Sequence, residues 1–161
     1  MQPKKAYDFY KKHILDENKE ALFREYGFSY LVSSQDWELF AAILLNKKKK
    51  KLGVDLQGHE IKSAKSGYNF EYQYHKNTGL DKLKEDQKAS HVFITYSPDY
   101  KNVTVRKIRA DGLAQKFLDW EKDLTENYKL GKQRFRRSIT HKHVRQKSEV
   151  ILQIQDTRIK K

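Results

Sequence analysis

From Lys4 to Tyr26 the apolar positions Tyr7, Tyr10, Ile14, Ala21 and Leu22 recur at near-helical intervals between lysines and glutamates, which predicts one helix or two short ones. Ser33, Ser34 and Asp36 then offer side-chain oxygens to the free amides of a helix start, ahead of Leu39, Phe40, Ile43 and Leu44, so a buried helix is expected over Trp37 to Leu45. The pattern changes to strand-like runs over Leu52 to Leu56, His59 to Ala64 and Tyr68 to His75, with Gly58 and Gly67 at the turns. Thr78 to Lys88 reads as a polar helix. His91 to Ser97 and Val103 to Ile108 read as a hairpin around Pro98-Asp99. Asp111 is expected to cap a helix reaching about Tyr128, with Leu113, Phe117, Trp120 and Leu124 on one face, and Val150 to Ile154 closes the series as a strand. No repeat, linker or break in composition divides the chain, so it is read as one domain over 1–161 of α/β (α+β) class, a mixed central sheet flanked by helices.

Charge changes the picture next. Lysine and arginine total 34 against 21 acids, giving a net charge of +13 and a pI of about 9.7, and a polyanion becomes the first partner to consider. The segment from Gly131 onward holds ten lysines and arginines against two acids in 31 residues. With 37% hydrophobic residues the chain can still bury a core. The sequence has no apolar run of the roughly 18 residues a membrane span needs, and Met-Gln-Pro-Lys-Lys leads into no apolar signal core, so a cytoplasmic protein without a membrane partner is expected. Cysteine is absent, which excludes disulfides, thiolate metal sites and a cysteine nucleophile.

The candidate chemistry lies in Gly53-Val54-Asp55-Leu56-Gln57-Gly58-His59-Glu60-Ile61-Lys62-Ser63. If Gln57-Gly58 is a two-residue turn, Asp55 faces Glu60 across the strand pair with Cβ atoms about 5 Å apart, and Lys62 shares their face. Paired carboxylates repel unless a cation lies between them, and Mg²⁺ takes one or two carboxylates together with waters and a phosphate oxygen. A neighbouring lysine can hold the attacking water. These are the requirements of phosphodiester hydrolysis. The spacing Asp-x4-Glu-x-Lys alone also fits two solvated hairpin acids. The alternating apolar partners Val54, Leu56 and Ile61, together with the basic surroundings, favour the site.

Asp55 followed by Glu60-Ile61-Lys62 resembles the motif of the PD-(D/E)xK nucleases, and the flanking chain resembles their PvuII-like type II restriction endonucleases. The resemblance runs through Tyr26-Gly27-Phe28, Tyr72 to Asn77, the 91–108 hairpin, Trp120-Glu121 and Ile139 to Val144, and so covers most of the chain. Val54 replaces the proline common before the acid, and the Asp55 to Glu60 spacing is shorter than in the family. The resemblance implies a restriction-endonuclease-like fold and Mg²⁺-dependent, sequence-specific double-strand cutting of DNA. Asp55 and Glu60 would hold the metal, with Lys62 beside the water. With one cleavage centre per chain, cutting both strands of a symmetric site calls for a homodimer, expected through a helical region at 1–46, with a catalytic sheet within 52–110 and a basic DNA-binding segment at 131–161. Gln73, Tyr74, His75, Lys76 and Asn77 fall where such enzymes read bases. Arg134, Arg136, Arg137 and Ser138, with Lys142 and Arg145 after them, are candidates for DNA contact. Two alternatives remain: a structure-specific repair or recombination nuclease of the same superfamily, and a non-catalytic basic nucleic-acid-binding domain in which Asp55 and Glu60 are surface acids.

Overall fold

The computed structural model describes residues 1–161. Helix α1 (Pro3–Phe9) starts at a proline, whose missing N–H a first turn does not need, and runs on into a wider π turn at Tyr10–Ile14. Asp16 caps α2 (Glu17–Glu25) by accepting the Lys19 N–H at 2.9 Å. Ser33 and Asp36 cap α3 (Ser34–Leu45) reciprocally, as the expected acceptors at that helix start.

The rest of the chain alternates. It forms β1 (His59–Lys65), β2 (Phe70–His75), α4 (Gly79–Lys88), β3 (Ser90–Tyr96), β4 (Val103–Ile108), α5 (Ala114–Lys129), β5 (Arg134–Ile139), α6 (His141–Lys147), β6 (Glu149–Gln155) and β7 (Arg158–Ile159). Five strands make a mixed sheet in the order β1-β3-β4-β6-β7, with β1 parallel to β3 and every other pair antiparallel. Parallel neighbours need a crossover, and β2 with α4 supplies it. β2 does not join this sheet; it pairs with β5 in a separate antiparallel ribbon. The fold is mixed α/β, as the periodicity predicts.

Period-two alternation in β3 divides the interior. Val92 and Ile94 face a core shared with Tyr10, Trp37, Phe40 and Leu44, beneath α1 and α3. Phe93 faces a second core with Tyr72, Tyr74, Leu83, Phe117 and Trp120, which packs the ribbon, α4 and α5 onto the opposite side. Gly79 opens α4 where a Cβ would meet the Tyr128 hydroxyl and, at 2.8 Å, Tyr74 Cβ, so only glycine lets α4 settle this close to the ribbon. No helix is long and apolar enough to cross a membrane.

Four expectations need correction. Leu52 to Asp55 is a bent loop, held by single bridges at Leu56 and by Gly53 at positive φ, because the Asp55 N–H turns to the Glu60 side chain and leaves the ladder. Asp111 lies inside a 3₁₀ turn (Ala110–Gly112) paired with Arg109, and α5 starts after Leu113 without a side-chain cap. The central sheet extends beyond 52–110, taking β6 and β7 from the basic segment while β2 leaves for the ribbon. Tyr74, expected among the DNA-binding residues, is only 1% exposed, because strand alternation turns it into the second core.

Candidate active site

Gly58 adopts φ 76°, and the tight turn lets Leu56 and His59 exchange backbone hydrogen bonds of 2.9 and 3.0 Å. Asp55 and Glu60, the next residues outward, therefore meet. The Asp55 N–H donates to Glu60 Oε2 at 3.3 Å, and Asp55 Oδ2 accepts the Ile61 N–H at 2.9 Å. The other Asp55 oxygen takes no hydrogen bond, and Asp55 forms no ion pair.

Glu60 is 1% exposed and ionic on both oxygens. Lys62, two residues on and so on the same strand face, reaches Oε1 at 2.8 Å and lies 4.7 Å from the centre of the Tyr72 ring. Lys82, from α4, reaches Oε2 at 2.8 Å and Asp86 Oδ1 at 2.6 Å. Asp86 Oδ2 accepts the Tyr74 hydroxyl at 2.7 Å. His91 lies 2.8 Å from the Asp86 carbonyl through Nε2 and 2.9 Å from the Tyr72 hydroxyl through Nδ1. A carbonyl can only accept, so Nε2 carries the proton and Nδ1 accepts from Tyr72. Burial lowers His91 to about 4, which keeps this neutral tautomer in place.

The acids divide by environment. Burial and the neighbouring Glu60 raise Asp55 to about 6, and the same two causes raise Asp86 to about 6. Burial also works against ionisation of Glu60, but Lys62 and Lys82 outweigh it and bring Glu60 below its ordinary value. Burial similarly works against the Lys82 charge, and Glu60 with Asp86 outweighs it. Glu60 therefore stays an anion. With Asp55 and Asp86 also ionised, three carboxylates face two ammonium groups, and the unpaired charge belongs to Asp55.

This donor set fits one hard divalent cation. No group of three or more His, Asp or Glu side chains forms a ready metal cage. Mg²⁺ does not require one, since it keeps several waters and binds through one or two carboxylates. Asp55 offers an oxygen free of hydrogen bonds beside Glu60 Oε2, whose ligation would draw on the oxygen that Lys82 now shares.

The ribbon carries the second half of the candidate site. On β2 the alternation buries Phe70, Tyr72 and Tyr74 and exposes Glu71, Gln73 and His75. Register places Ser138, Arg136 and Arg134 of β5 directly across from those three, and all are exposed. One outward face thus carries six polar side chains in three cross-strand pairs. An antiparallel ribbon of two strands has the width to enter a DNA major groove, and arginine and glutamine are the side chains that reach guanine and adenine edges. Gln73, His75 and Lys82 line one cleft of about 630 Å³ with Lys50, and Lys82 connects that cleft with Glu60 and Asp86. Lys76 and Asn77 lie in the exposed turn after β2. Arg137 points away from this face, pairing with Asp123 at 3.1 Å and lying 4.2 Å from the Phe135 ring. Lys142 and Arg145 line a wholly polar hollow of about 580 Å³ with Asn69, His141 and Gln146.

The structure thus joins Asp55, Glu60 and Lys62 in one cluster and Gln73, His75, Arg134, Arg136 and Ser138 on one face. Sequence reasoning missed Lys82, which pairs with Glu60, the Asp86, His91 and Tyr72 and Tyr74 hydroxyls that continue the network from Lys82, and Glu71 on the ribbon. Lys82 and Asp86 carry a weak signal: they are an i, i+4 pair of opposite charge in a polar helix. Compared with known families and curated proteins, the chain matches no family model and no curated sequence at a significant level.

Proposed function

We propose that the chain is a Mg²⁺-dependent, sequence-specific double-strand DNA endonuclease of the type II restriction class, with a restriction-endonuclease-like fold, acting as a homodimer in the cytoplasm. The observation that carries the reading is the buried Glu60–Lys62 pair at 2.8 Å with Asp55 beside it, joined through Lys82, 2.8 Å from Glu60, to a cleft that Gln73 and His75 of the outward ribbon face also line. A solvated hairpin glutamate would not be 1% exposed between two lysines, as Glu60 is.

Bound Mg²⁺ would supply a Lewis acid for the phosphate and a water of lowered pKa. Asp55 and Glu60 would hold the ion. Lys62 Nζ, fixed by Glu60 Oε1 and the Tyr72 ring, orients a water oxygen toward phosphorus and offsets the charge that gathers on the phosphate oxygens. Tyr72 and His91 close the interior side and exclude bulk water from the Glu60 carboxylate. Supercoiled plasmid incubated with the protein and Mg²⁺ is expected to give a fixed set of fragments, and none in EDTA. A protein that retards the plasmid but leaves it intact at every Mg²⁺ concentration is a binding module, and the catalytic reading then fails. A structure-specific repair nuclease would give fragments whose ends follow DNA structure and not sequence; the six-residue outward face favours sequence reading.

Cutting both strands of a symmetric site calls for two copies about a two-fold axis. Within 1–46, α2 buries none of its residues, and Leu22, Tyr26, Phe28 and Leu31 are 54%, 69%, 68% and 68% exposed. Lys19 and Glu25 lie three residues either side of Leu22. Antiparallel packing of two copies of α2 centred on Leu22 therefore sets Lys19 against the partner's Glu25, twice. Sedimentation of the free protein is expected at twice 19.2 kDa. Lys19→Glu should shift it toward the monomer, and Lys19→Glu combined with Glu25→Lys should restore the dimer. Equal mass for all three proteins would place the contact elsewhere.

A further inference from the structure

Lys82 is not part of the Asp-x4-Glu-x-Lys pattern, yet its ammonium is held more closely than that of Lys62. It lies 2.8 Å from Glu60 Oε2 and 2.6 Å from Asp86 Oδ1, bridging carboxylates from β1 and α4 that are each only 1% exposed. Buried carboxylates this close require a cation between them. In phosphodiester-cleaving sites with two metals that place is taken by a second divalent ion, about 3.5–4 Å from the first and sharing a carboxylate with it. Here Glu60 is the shared carboxylate: one of its oxygens receives both the Asp55 N–H and Lys82. Asp86 in turn is fixed by the Tyr74 hydroxyl at 2.7 Å, so the bridge cannot relax by turning that carboxylate away. Two of the three ammonium protons are used on the carboxylates. The third has no partner within the chain, and Lys82 lines the cleft where Gln73 and His75 lie.

We infer that Lys82 is a built-in cation standing where a second divalent ion would otherwise bridge Glu60 and Asp86, and that the centre accordingly takes one divalent ion per chain. The inference rests on the metal-centre reading of Asp55 and Glu60. Lys82 is a positioning residue in this scheme: it holds Glu60 Oε2 and neutralises Asp86 permanently, so that only the Asp55 side of the cluster remains open to metal.

Counting bound Mn²⁺ on the full-length protein without DNA, by the loss of free-ion signal in electron paramagnetic resonance, tests this without any cleavage assay. The wild type is expected to bind one Mn²⁺ per chain. Lys82→Met should bind two, with the broadened spectrum of a coupled pair, and Lys82→Met combined with Asp86→Asn should return to one. Two ions in the wild type overturn the inference, and so does one ion in a Lys82→Met protein whose near-ultraviolet circular dichroism is native. If Lys82→Met does not fold, Lys82→Gln, neutral but still able to donate to one carboxylate, takes its place with the same expected count. A wild type that binds no Mn²⁺ overturns the metal-centre reading itself, and this inference with it, whereas one ion in both wild type and neutral variant leaves that reading standing and removes only the role of Lys82.

Discussion

Lys62→Met is expected to lower the rate of DNA cleavage by about 10²–10³-fold, the usual loss when one fixed donor to the developing transition-state charge is removed. The fold should survive, because Glu60 keeps Lys82 at 2.8 Å and methionine retains the length of the side chain over Tyr72. Glu60→Gln should behave differently. It removes the carboxylate partner of Lys62 and one of the two partners of Lys82, at a position only 1% exposed, and breaking a buried pair in this way costs roughly 3–5 kcal/mol. That variant should lose both cleavage and a large part of its resistance to urea. The two measurements separate the roles: a purely structural cluster predicts the stability loss in Glu60→Gln with no special effect of Lys62→Met on any DNA reaction. Asp55→Asn falls between them, since an amide oxygen still accepts the Ile61 N–H now held at 2.9 Å, so it should fold normally and lose Mg²⁺ binding. Digestion by Lys62→Met within a few-fold of the wild-type rate would remove the active-site assignment.

The parts of this arrangement that were legible in the sequence are those written in short-range periodicity. Strand alternation puts Glu60 and Lys62 on one face, and the Gln57-Gly58 turn brings Asp55 back to them, and both follow from spacing alone. Tyr72 and Tyr74 alternate with Gln73 and His75 in the same way, although nothing local says which set points inward. That choice is made by α4, α5 and β3, which supply Leu83, Phe117, Trp120 and Phe93 to one side of the ribbon. The pairing of β2 with β5 was not legible, since about sixty residues separate strands whose partnership no local rule fixes. Lys82 and Asp86 were hidden for the same reason. Their i, i+4 spacing looks like an ordinary surface pair, and only the crossover that makes β1 and β3 parallel carries α4 over the end of β1 and buries that pair against Glu60. The misplaced strand at Leu52 to Asp55 shows the converse: an apolar alternation too short to hold a ladder gives way when a side chain offers its amide a charged acceptor.

Gln73→Ala and Arg136→Ala are each expected to reduce the preference for the cognate site over a one-base variant by about 1–3 kcal/mol, the worth of one good base interaction. The two residues are direct cross-strand partners at the middle of the outward ribbon face, so they would reach neighbouring base pairs from one insertion into the groove. Lys142→Ala and Arg145→Ala should act on every sequence alike. These residues line a hollow without hydrophobic walls, beside the ribbon's Ile139 end and without the Gln73–Arg136 pair in its lining, a position suited to the phosphate backbone. Removing one phosphate-binding charge should flatten the slope of log affinity against log salt by about 0.9. Binding is measured with Ca²⁺ replacing Mg²⁺, on the cognate duplex found by sequencing the fragment ends and on its one-base variants, at several salt concentrations. The double variant Gln73→Ala with Arg136→Ala should approach the wild-type affinity for unrelated DNA while keeping most of the wild-type salt slope. If it retains full discrimination, the ribbon's outward face does not read bases, and the turn at Lys76 and Asn77 becomes the place to look, since it is exposed, follows β2 directly and is left untouched by the substitutions.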